Sequence, residues 1–274
     1  MTTPVEIVSV DGTNVEQQGF FCYKSKPKSP GYANKLAWLQ QRFAEGMEIK
    51  ILYEGARSVG FIEYIPGEFA WRAVHPPDHL VIHCLWVVGS GKGKGYGSRL
   101  LEICLEDAHR QGKQGVVMVS SRGNWLATEK IFLQHGFQSI DSAPPSFQLL
   151  VHPFRDGPLP SFPQDWEARQ AAIGDELTIV YADQCPYMPD AVEAAVEAFR
   201  QRGVPARTVK LEDAAFVQQH SPSAYGVFGI VYNCRLFAYH YLGPRELKQL
   251  DRLIQPARVC LAAEKGRQRL MEVH

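Results

Sequence analysis

The sequence predicts a mixed α/β protein of the α+β type, built from two successive segments. Residues 1–154 begin with strands of alternating hydrophobicity and continue with a strand, a glycine-rich loop, a helix and another strand. Residues 175–274 carry a shorter strand–helix alternation that ends in a hairpin pattern and a helix. We therefore expect a mixed, mostly antiparallel sheet in the first segment and a small α/β domain in the second.

Prolines separate the two segments. Pro153, Pro158, Pro160 and Pro163 fall within eleven residues of one another. Proline lacks an amide donor and biases the preceding residue toward extended geometry, which disfavours helix and sheet interiors. The sequence therefore predicts a linker at residues 155–174 between domains at 1–154 and 175–274.

Hydrophobic periodicity assigns the elements of the first segment in order. Strands are predicted at residues 5–10, 47–54, 58–65, 80–88, 115–121 and 146–154. Helices are predicted at residues 34–46, 97–110 and 125–136, with a glycine close to the end of each. The pair Pro66-Gly67 is typical of a type II turn, so we expect a hairpin there.

The second segment is assigned in the same way. Strands are predicted at residues 176–183, 206–212, 225–233 and 235–242. Helices are predicted from about Pro189 to Gly203 and over residues 213–220 and 244–254. The first of these helices is predicted to bury Val192, Ala195, Val196 and Phe199 on one apolar face.

Composition limits the classes of partner. Lys plus Arg and Asp plus Glu both number 29 among the 274 residues, so no global basic field favours nucleic acid or anionic membrane. The sequence has no apolar run of about 20 residues and no signal-like start, so we expect a cytoplasmic protein. Six scattered cysteines without a CxxC pair predict free thiols and no metal site.

The most informative stretch is GSGKGKGY, residues 89–96, between a predicted strand and a predicted helix. The first amides of a helix lack intrahelical partners, and glycines let the backbone approach a phosphate closely. Lys92 and Lys94 add positive charge at the same place. The loop is not a Walker A loop, because no GK[ST] follows four residues after a first glycine. It does not fit a dinucleotide fingerprint either, because the upstream strands are predicted to be antiparallel.

This loop resembles the acetyl-CoA pyrophosphate loop of GNAT N-acetyltransferases, [QR]-x-x-G-x-[GA], with Lys92 at the first position and Gly97 at the last. Val87 stands where that family has the valine of its bulged fourth strand, and NWLATEKIFLQHGF is similar to the later helix pattern. The stretches GFIEYIPGEFAWRAV, VIHCLWVVG and APPSFQLLV resemble the YoaP type, in which a GNAT domain is joined to a thioredoxin-like domain.

The resemblance implies acetyl transfer from acetyl-CoA to an amine. It implies that backbone from Leu85 to Val88 follows the pantetheine arm, with the Val87 amide donating to the thioester oxygen. The implied cofactor-binding residues are Leu85, Trp86, Val87, Val88, Lys92, Gly93, Lys94, Gly95, Tyr96, Gly97, Ser98, Asn124 and Phe132. Phe132 occupies the position where the family often has a tyrosine acid, and it has no proton to donate.

Two residues are candidates for the base that deprotonates the acceptor. His83 has a suitable side chain, with an unperturbed pKa of about 6.5, and Glu63 lies on the preceding strand. The alternative for His83 is a satisfied core side chain, and the alternative for Glu63 is a solvated outward face.

Cys185, in ADQCPYMPDAV, follows a strand and precedes a helix, which resembles a glutaredoxin site. A helix N-terminus lowers a thiol pKa, but Met188 stands where the resolving cysteine would be. Monothiol chemistry, thiol binding and an inert scaffold all stay open for this residue. The Ser221-Pro222 bond is expected to be cis by the same resemblance.

The leading hypothesis is thus an N-acetyltransferase whose second domain aids recognition of a small-molecule or peptide amine. The alternative is a monothiol redox or thiol-binding protein that acts through Cys185, with a regulatory CoA-binding domain. A homodimer is compatible with either hypothesis.

Overall fold

The computed structural model describes residues 3–122 and 126–250. The chain divides into two compact units. Unit 1 comprises residues up to Ala70 and Val74–Phe162, and unit 2 comprises Trp71–Ala73 and the residues from Pro163 onward. Within the described ranges, no helix is long and apolar enough to cross a membrane.

Unit 1 contains a seven-stranded sheet in the order β1-β2-β3-β4-β5-β7-β6. Its strands are β1 Val5–Val10, β2 Glu48–Glu54, β3 Arg57–Pro66, β4 His79–Val87, β5 Gly115–Ser121, β6 Gln138–Ala143 and β7 Phe147–Pro153. Strands β4 and β5 pair in parallel, and every other neighbouring pair is antiparallel. The predicted mixed, mostly antiparallel sheet is confirmed, although the sequence reading missed β6.

Four helices accompany this sheet: α1 Val15–Gln18, α2 Pro30–Ala44, α3 Tyr96–Arg110 and α4 Glu129–Gln134. Helix α2 begins at Pro30 rather than at residue 34, because Ser29 Oγ accepts the Tyr32 amide at 3.2 Å and proline occupies the first turn. Helix α4 is shorter than predicted, since Thr128 has extended backbone geometry.

The long helix α3 is anchored to the sheet by both apolar and charged contacts. Leu100, Leu101 and Cys104 are buried on its inner face. Asp107 on the same face accepts a hydrogen bond from the Tyr64 hydroxyl, and its carboxylate lies 3.3 Å from Lys50 Nζ. Burial raises the pKa of Asp107, but these partners outweigh burial and hold it below its usual value.

The hairpin predicted at Pro66-Gly67 is not present. Gly67–Phe69 instead form one turn of 3-10 helix, and Trp71–Ala73 belong to unit 2. Gly67 is closely surrounded, because a Cβ there would lie 2.7 Å from Pro76 Cγ. The prediction was wrong because the Pro66-Gly67 pair is a local pattern, and it contains no information about the unit in which the following residues pack.

Unit 2 contains a four-stranded sheet in the order β11-β10-β8-β9, with β8 and β9 parallel and the other pairs antiparallel. Its strands are β8 Thr178–Tyr181, β9 Arg207–Lys210, β10 Phe228–Tyr232 and β11 Arg235–Ala238. Its helices are α5 Trp166–Ile173, α6 Met188–Arg200, α7 Ala214–His220 and α8 Pro244–Lys248. The predicted element order of this segment is observed, and the thioredoxin-like assignment stays a prediction.

Helix α5 lies inside the stretch that was expected to be a linker. Arg169 on this helix is buried, bonding the Gln218 carbonyl at 2.8 Å and the Asp165 carboxylate at 2.6 Å. A linker would not bury an arginine in this way. The proline cluster therefore precedes an ordered helix of unit 2.

Two backbone and cysteine expectations also change. The described residues have their cis peptide bond at Pro144-Pro145, so Ser221-Pro222 is trans. The extended ψ of 135° at Ser221 is the geometry usual before a proline. Cys234 is disulfide-bonded, which corrects the expectation that all six thiols are reduced. Cys185 carries a reduced thiol.

We predict that Asp107→Asn lowers the free energy of unfolding at pH 7 by about 1–3 kcal/mol, because a charge-assisted buried hydrogen bond is lost. The folded pKa of Asp107 is depressed, so its contribution is present above the unfolded pKa and is lost as pH falls through the folded pKa. Urea unfolding at pH 7 and at about pH 3 should therefore show a smaller deficit at the acidic pH.

The matched control is Glu106→Gln, which makes the same charge change at an exposed position of the same helix. We expect it to change the stability by less than about 0.5 kcal/mol. Equal losses for the two variants would contradict the role of the Asp107 network.

Candidate functional site

The site begins where strand β4 parts from strand β5. Their parallel pairing runs from His79–Gly115 to Ile82–Met118 and then stops. Strand β4 stays paired with β3 up to Val87, whereas β5 stays paired with β7 up to Ser121. A gap therefore opens between β4 and β5 from His83 onward, and backbone groups on its edges are available to a ligand.

The backbone of β4 directs the Val87 amide into this gap. Val88 donates its amide to the Val59 carbonyl at 2.9 Å. Hydrogen-bonded and non-bonded positions alternate along an antiparallel pair, so the Val87 amide points away from β3. This is the orientation that the sequence resemblance requires of Val87.

The glycine loop that follows β4 is open on one side and tightly packed on the other. Gly93 and Gly95 have φ of 78° and 77°, and a Cβ at either position would meet nothing within 4 Å. A Cβ at Gly91 would lie 3.0 Å from Val87 Cγ1, and one at Gly97 would lie 2.8 Å from Ile131 Cδ1. The loop thus leaves ligand-sized space beside left-handed backbone that glycine adopts without strain.

The N-terminus of α3 lies directly after this loop. Its N-cap is Gly95, so no side chain satisfies the first amides, and the first turn holds no acidic residue. The amides of Tyr96, Gly97 and Ser98 have no intrahelical acceptor at this end of a 15-residue helix. An anion is the natural partner for these donors and for the helix dipole.

A cleft of about 600 Å³ joins the loop, the helix start and the edge of β4. This volume is in the range of small-molecule and cofactor sites. The predicted residues that line it are Leu85, Trp86, Val87, Lys92, Gly93, Gly95, Tyr96, Gly97 and Ser98. The structure thus brings most of the predicted cofactor residues together around one space.

The two loop lysines have different environments. Lys94 Nζ lies 2.5 Å from Glu54 Oε1, and the Tyr96 hydroxyl donates to the same oxygen at 2.9 Å. These bonds hold the pKa of Glu54 below its usual value. Lys92 is exposed and lies 5.8 Å over the Trp86 ring. Lys92 rather than Lys94 is therefore the loop cation available to the cleft.

Helix α4 and the turn before it form the opposite wall, as the sequence resemblance implied, but the residues that line it were not among those predicted. Lys130, Ile131 and Gln134 face the cleft at helical spacing. Phe132 faces the core instead, fully buried and 5.3 Å from the Phe137 ring, so its predicted place in the cofactor site is corrected. Lys130, Ile131 and Gln134 are spaced i, i+1, i+4, which places them on one helix face, and this spacing is the feature of the sequence that could have identified them. Asn124 lies outside the described residues.

The predicted bases meet at a bulge in β4. Glu63 pairs with Cys84 and Tyr64 pairs with Ile82, which leaves His83 as the extra residue on β4. His83 Nδ1 lies 3.4 Å from Glu63 Oε1, and Lys35 Nζ lies 2.8 Å from Glu63 Oε2. All three side chains are buried, and Lys35 of α2 was not found from the sequence.

The charges of this cluster distinguish His83 from Glu63 as the candidate base. Burial raises the pKa of Glu63, but the Lys35 charge and the adjacent His83 ring outweigh burial and lower that pKa to about 2. A carboxylate of that acidity is a poor proton acceptor at neutral pH. The lowered pKa of Glu63 therefore favours His83 over Glu63 as the base.

Cys185 lies in unit 2, half-buried at the start of α6, where its carbonyl accepts the Met188 amide at 3.1 Å. The preceding Gln184 accepts a hydrogen bond from Arg72 at 2.6 Å. Tyr187, two residues after Cys185, is 38% exposed and stacks with Tyr241. Cys185 thus belongs to a surface region of unit 2 that contains aromatic side chains.

Comparison with known proteins gives the following relatives. The chain is 27% identical over 248 residues to the Uncharacterized N-acetyltransferase YoaP of Bacillus subtilis (strain 168), covering 89% of this chain and 97% of that protein. It is 32% identical over 93 residues to the L-methionine sulfoximine/L-methionine sulfone acetyltransferase of Pseudomonas paraeruginosa (strain DSM 24068 / PA7), covering 34% and 52% of the two chains. An acetyltransferase structure from Thermus thermophilus has a TM-score of 0.42 at 18% identity, covering 56% of this chain and all of that one.

Residues 16–137 match the acetyltransferase (GNAT) family. This range contains the β4 edge, the glycine loop, the start of α3 and the α4 wall. The chain therefore carries a GNAT-family acetyltransferase domain, and it is an enzyme that uses acetyl-CoA as its acyl donor.

Proposed function

We propose that the protein transfers the acetyl group of acetyl-CoA to a primary amine of a small-molecule or peptide acceptor, and that unit 2 aids acceptor recognition. One observation carries the proposal: the uncapped N-terminus of α3 lies at the gap into which the Val87 amide points. These features would provide a phosphate site and a carbonyl site within one cleft.

The loop and the helix start would hold the pyrophosphate. The amides of Tyr96, Gly97 and Ser98 are donors without intrahelical acceptors, and Gly93 and Gly95 leave space for phosphate oxygens. Lys92 and Lys130 add positive charge from the two walls. The edge from Leu85 to Val87 would bind the pantetheine arm through backbone groups, whereas the predicted Val88 lies outside the cleft lining and donates its amide to Val59.

Acetyl-CoA supplies a thioester, so a C–N bond forms to the acceptor, the C–S bond breaks and CoA leaves as a thiolate. The Val87 amide would donate to the thioester oxygen as negative charge develops there, an interaction worth about 10²–10³ in rate in other acyl transfers. Phe132 faces the core and carries no proton, so we assign no protein acid to the leaving thiolate.

His83 is the proposed acceptor of the proton that the ammonium group loses. It lies in the β4 bulge at the start of the gap, next to the half-buried Cys84. The His83 side chain has no exposed surface, so the proton would pass through one bridging water molecule.

The acceptor class is supported by two observations. The relative from Pseudomonas paraeruginosa is named for acetylation of methionine sulfoximine and methionine sulfone, which are small amino-acid analogues. In unit 2, the exposed ring of Tyr187 and the half-buried Cys185 provide an aromatic surface beside a thiol. We propose that this surface contacts the acceptor.

We predict that Gly95→Asp weakens acetyl-CoA binding at least about tenfold in calorimetric titrations of the full-length protein, because it places a negative charge at the helix N-terminus. Gly95→Asn should weaken it less, since asparagine tolerates left-handed backbone and carries no charge. Gly112→Asp is the matched control, with φ of 68° and equally open surroundings at the other end of α3.

The control should retain acetyl-CoA affinity although it shares the backbone strain. If Gly95→Asp binds acetyl-CoA like the wild type, the phosphate site has been placed wrongly. If the wild type shows no binding at millimolar ligand, the proposed use of this cleft fails altogether.

A second prediction separates the two loop lysines. Lys92→Met should raise the acetyl-CoA dissociation constant by about three- to tenfold at low salt, and by less at high salt, because a cation facing the phosphates is lost. Lys94→Met should have a smaller effect, since Lys94 is bonded to Glu54. Fluorescence or calorimetric titration at two salt concentrations measures both, and the reverse order of effects would refute the assignment.

A third prediction concerns unit 2. In a screen of primary amines that includes thiol-bearing ones, the double variant Cys185→Ser/Tyr187→Ala should raise the acceptor KM by about threefold or more, because the lost contacts belong to ground-state binding. The KM for acetyl-CoA should not change. An acceptor KM equal to that of the wild type for every active amine would argue against a recognition role of this surface.

A further inference from the structure

We propose that Lys35 is a positioning residue for acetyl transfer: its ion pair with Glu63 fixes the His83 ring with the proton on Nδ1, so that Nε2 accepts the acceptor's proton. The inference rests on the proposed role of His83 as the base. Neither the sequence resemblance nor the cleft identifies Lys35, which lies on helix α2.

The Lys35 side chain is held in one place by two contacts. Its Nζ lies 2.8 Å from Glu63 Oε2 and 4.2 Å from the centre of the Trp38 ring. The side chains of Lys35 and Glu63 are only 3% and 4% exposed. A buried pair of this geometry stays ionised, because separating or neutralising it would leave a charge without compensation.

His83 lies next to this ion pair and next to an aromatic ring of α2. Glu63 faces the ring from β3, Lys35 belongs to α2, and the Trp38 ring of α2 lies 6.2 Å from the His83 ring. Cys84 follows on the same strand, and β5 contributes Met118 opposite Ile82 at the last paired position. The ion pair therefore acts on the His83 ring at short range, through the Glu63 oxygen that lies 3.4 Å from Nδ1.

An ionised carboxylate next to Nδ1 stabilises the tautomer that has its proton on that nitrogen. Nε2 is then the basic nitrogen. Without the Lys35 charge, the carboxylate would favour the doubly protonated imidazolium ring, which cannot accept a proton. Lys35 neutralises the carboxylate, so Glu63 orients the ring without charging it.

The β-bulge gives this arrangement its position. His83 is the extra residue between Cys84 and Ile82, and the bulge brings its ring toward Glu63. The pairing of β4 with β5 ends at the neighbouring residue, Ile82. The oriented ring therefore lies at the start of the gap in which the Val87 amide is available.

The test is the pH profile of kcat/KM for the most active amine of the screen. Lys35→Met should move the acidic limb to higher pH by about one unit, because the uncompensated Glu63 carboxylate favours the charged imidazole. Lys35→Arg should restore the wild-type profile, and acetyl-CoA affinity should stay the same in both. Lys50→Met removes a buried lysine from the Asp107 network. It is the control variant, which should be less stable but should show the acidic limb of the pH profile at the wild-type pH.

A profile of Lys35→Met that superimposes on the wild type, after correction for the folded fraction, would overturn the proposal. A second measurement needs neither the variant nor an acceptor: nitrogen NMR of ¹⁵N-histidine-labelled wild-type protein reports the His83 tautomer. We expect the Nδ1–H form near neutral pH, and the Nε2–H form would overturn the role of Lys35. Acetylation that persists in either case would leave the proposed function standing, whereas its absence from all amines would count against that function alone.

Discussion

Strand β4 stays paired with β3 as far as Val87 but pairs with β5 only as far as Ile82. Every feature of the site depends on this parting. It leaves backbone groups of β4 without a second neighbour inside an otherwise continuous sheet, which a protein tolerates where a ligand can satisfy them. The glycine loop then turns the chain so that α3 starts beside the gap with three uncapped amides. Parallel pairing at one end and separation at the other thus create the cleft.

Two buried charge clusters hold the surrounding elements in register. Asp107 ties α3 to β3 through Tyr64 and to β2 through Lys50, on one face of the sheet. Lys35 and Glu63 tie α2 to β3 beside the β4 bulge. Buried ion pairs contribute little net stability, but breaking one leaves a costly unpaired charge, so they restrict the packing to one arrangement. The first cluster positions the helix that would bind phosphate, and the second positions the histidine that would accept a proton.

Features set by neighbouring residues were predictable from the sequence, and features set by long-range packing were not. The glycine loop, the start of α3 and the inner strands follow from local spacing, because glycine, helix caps and alternation act within a few residues. The pairing of Lys94 with Glu54 joins residues 40 apart, and that of Lys35 with Glu63 joins residues 28 apart, so neither leaves a local signal. Phe132 was placed by counting from a motif, which gives position but not direction. Trp71–Ala73 belong to unit 2 for reasons of packing that no turn motif records.

The most direct test is amide hydrogen exchange of the full-length protein with and without acetyl-CoA, followed by mass spectrometry or NMR. We predict slower exchange on binding for the amides of Val87, Gly93 and Tyr96–Ser98, because the ligand would accept their hydrogen bonds. Exchange in strands β8 and β9 of unit 2 should not change. Binding that leaves the residues from Leu85 to Ser98 unprotected would contradict the claim that the parted strands and the start of α3 form the acetyl-CoA site.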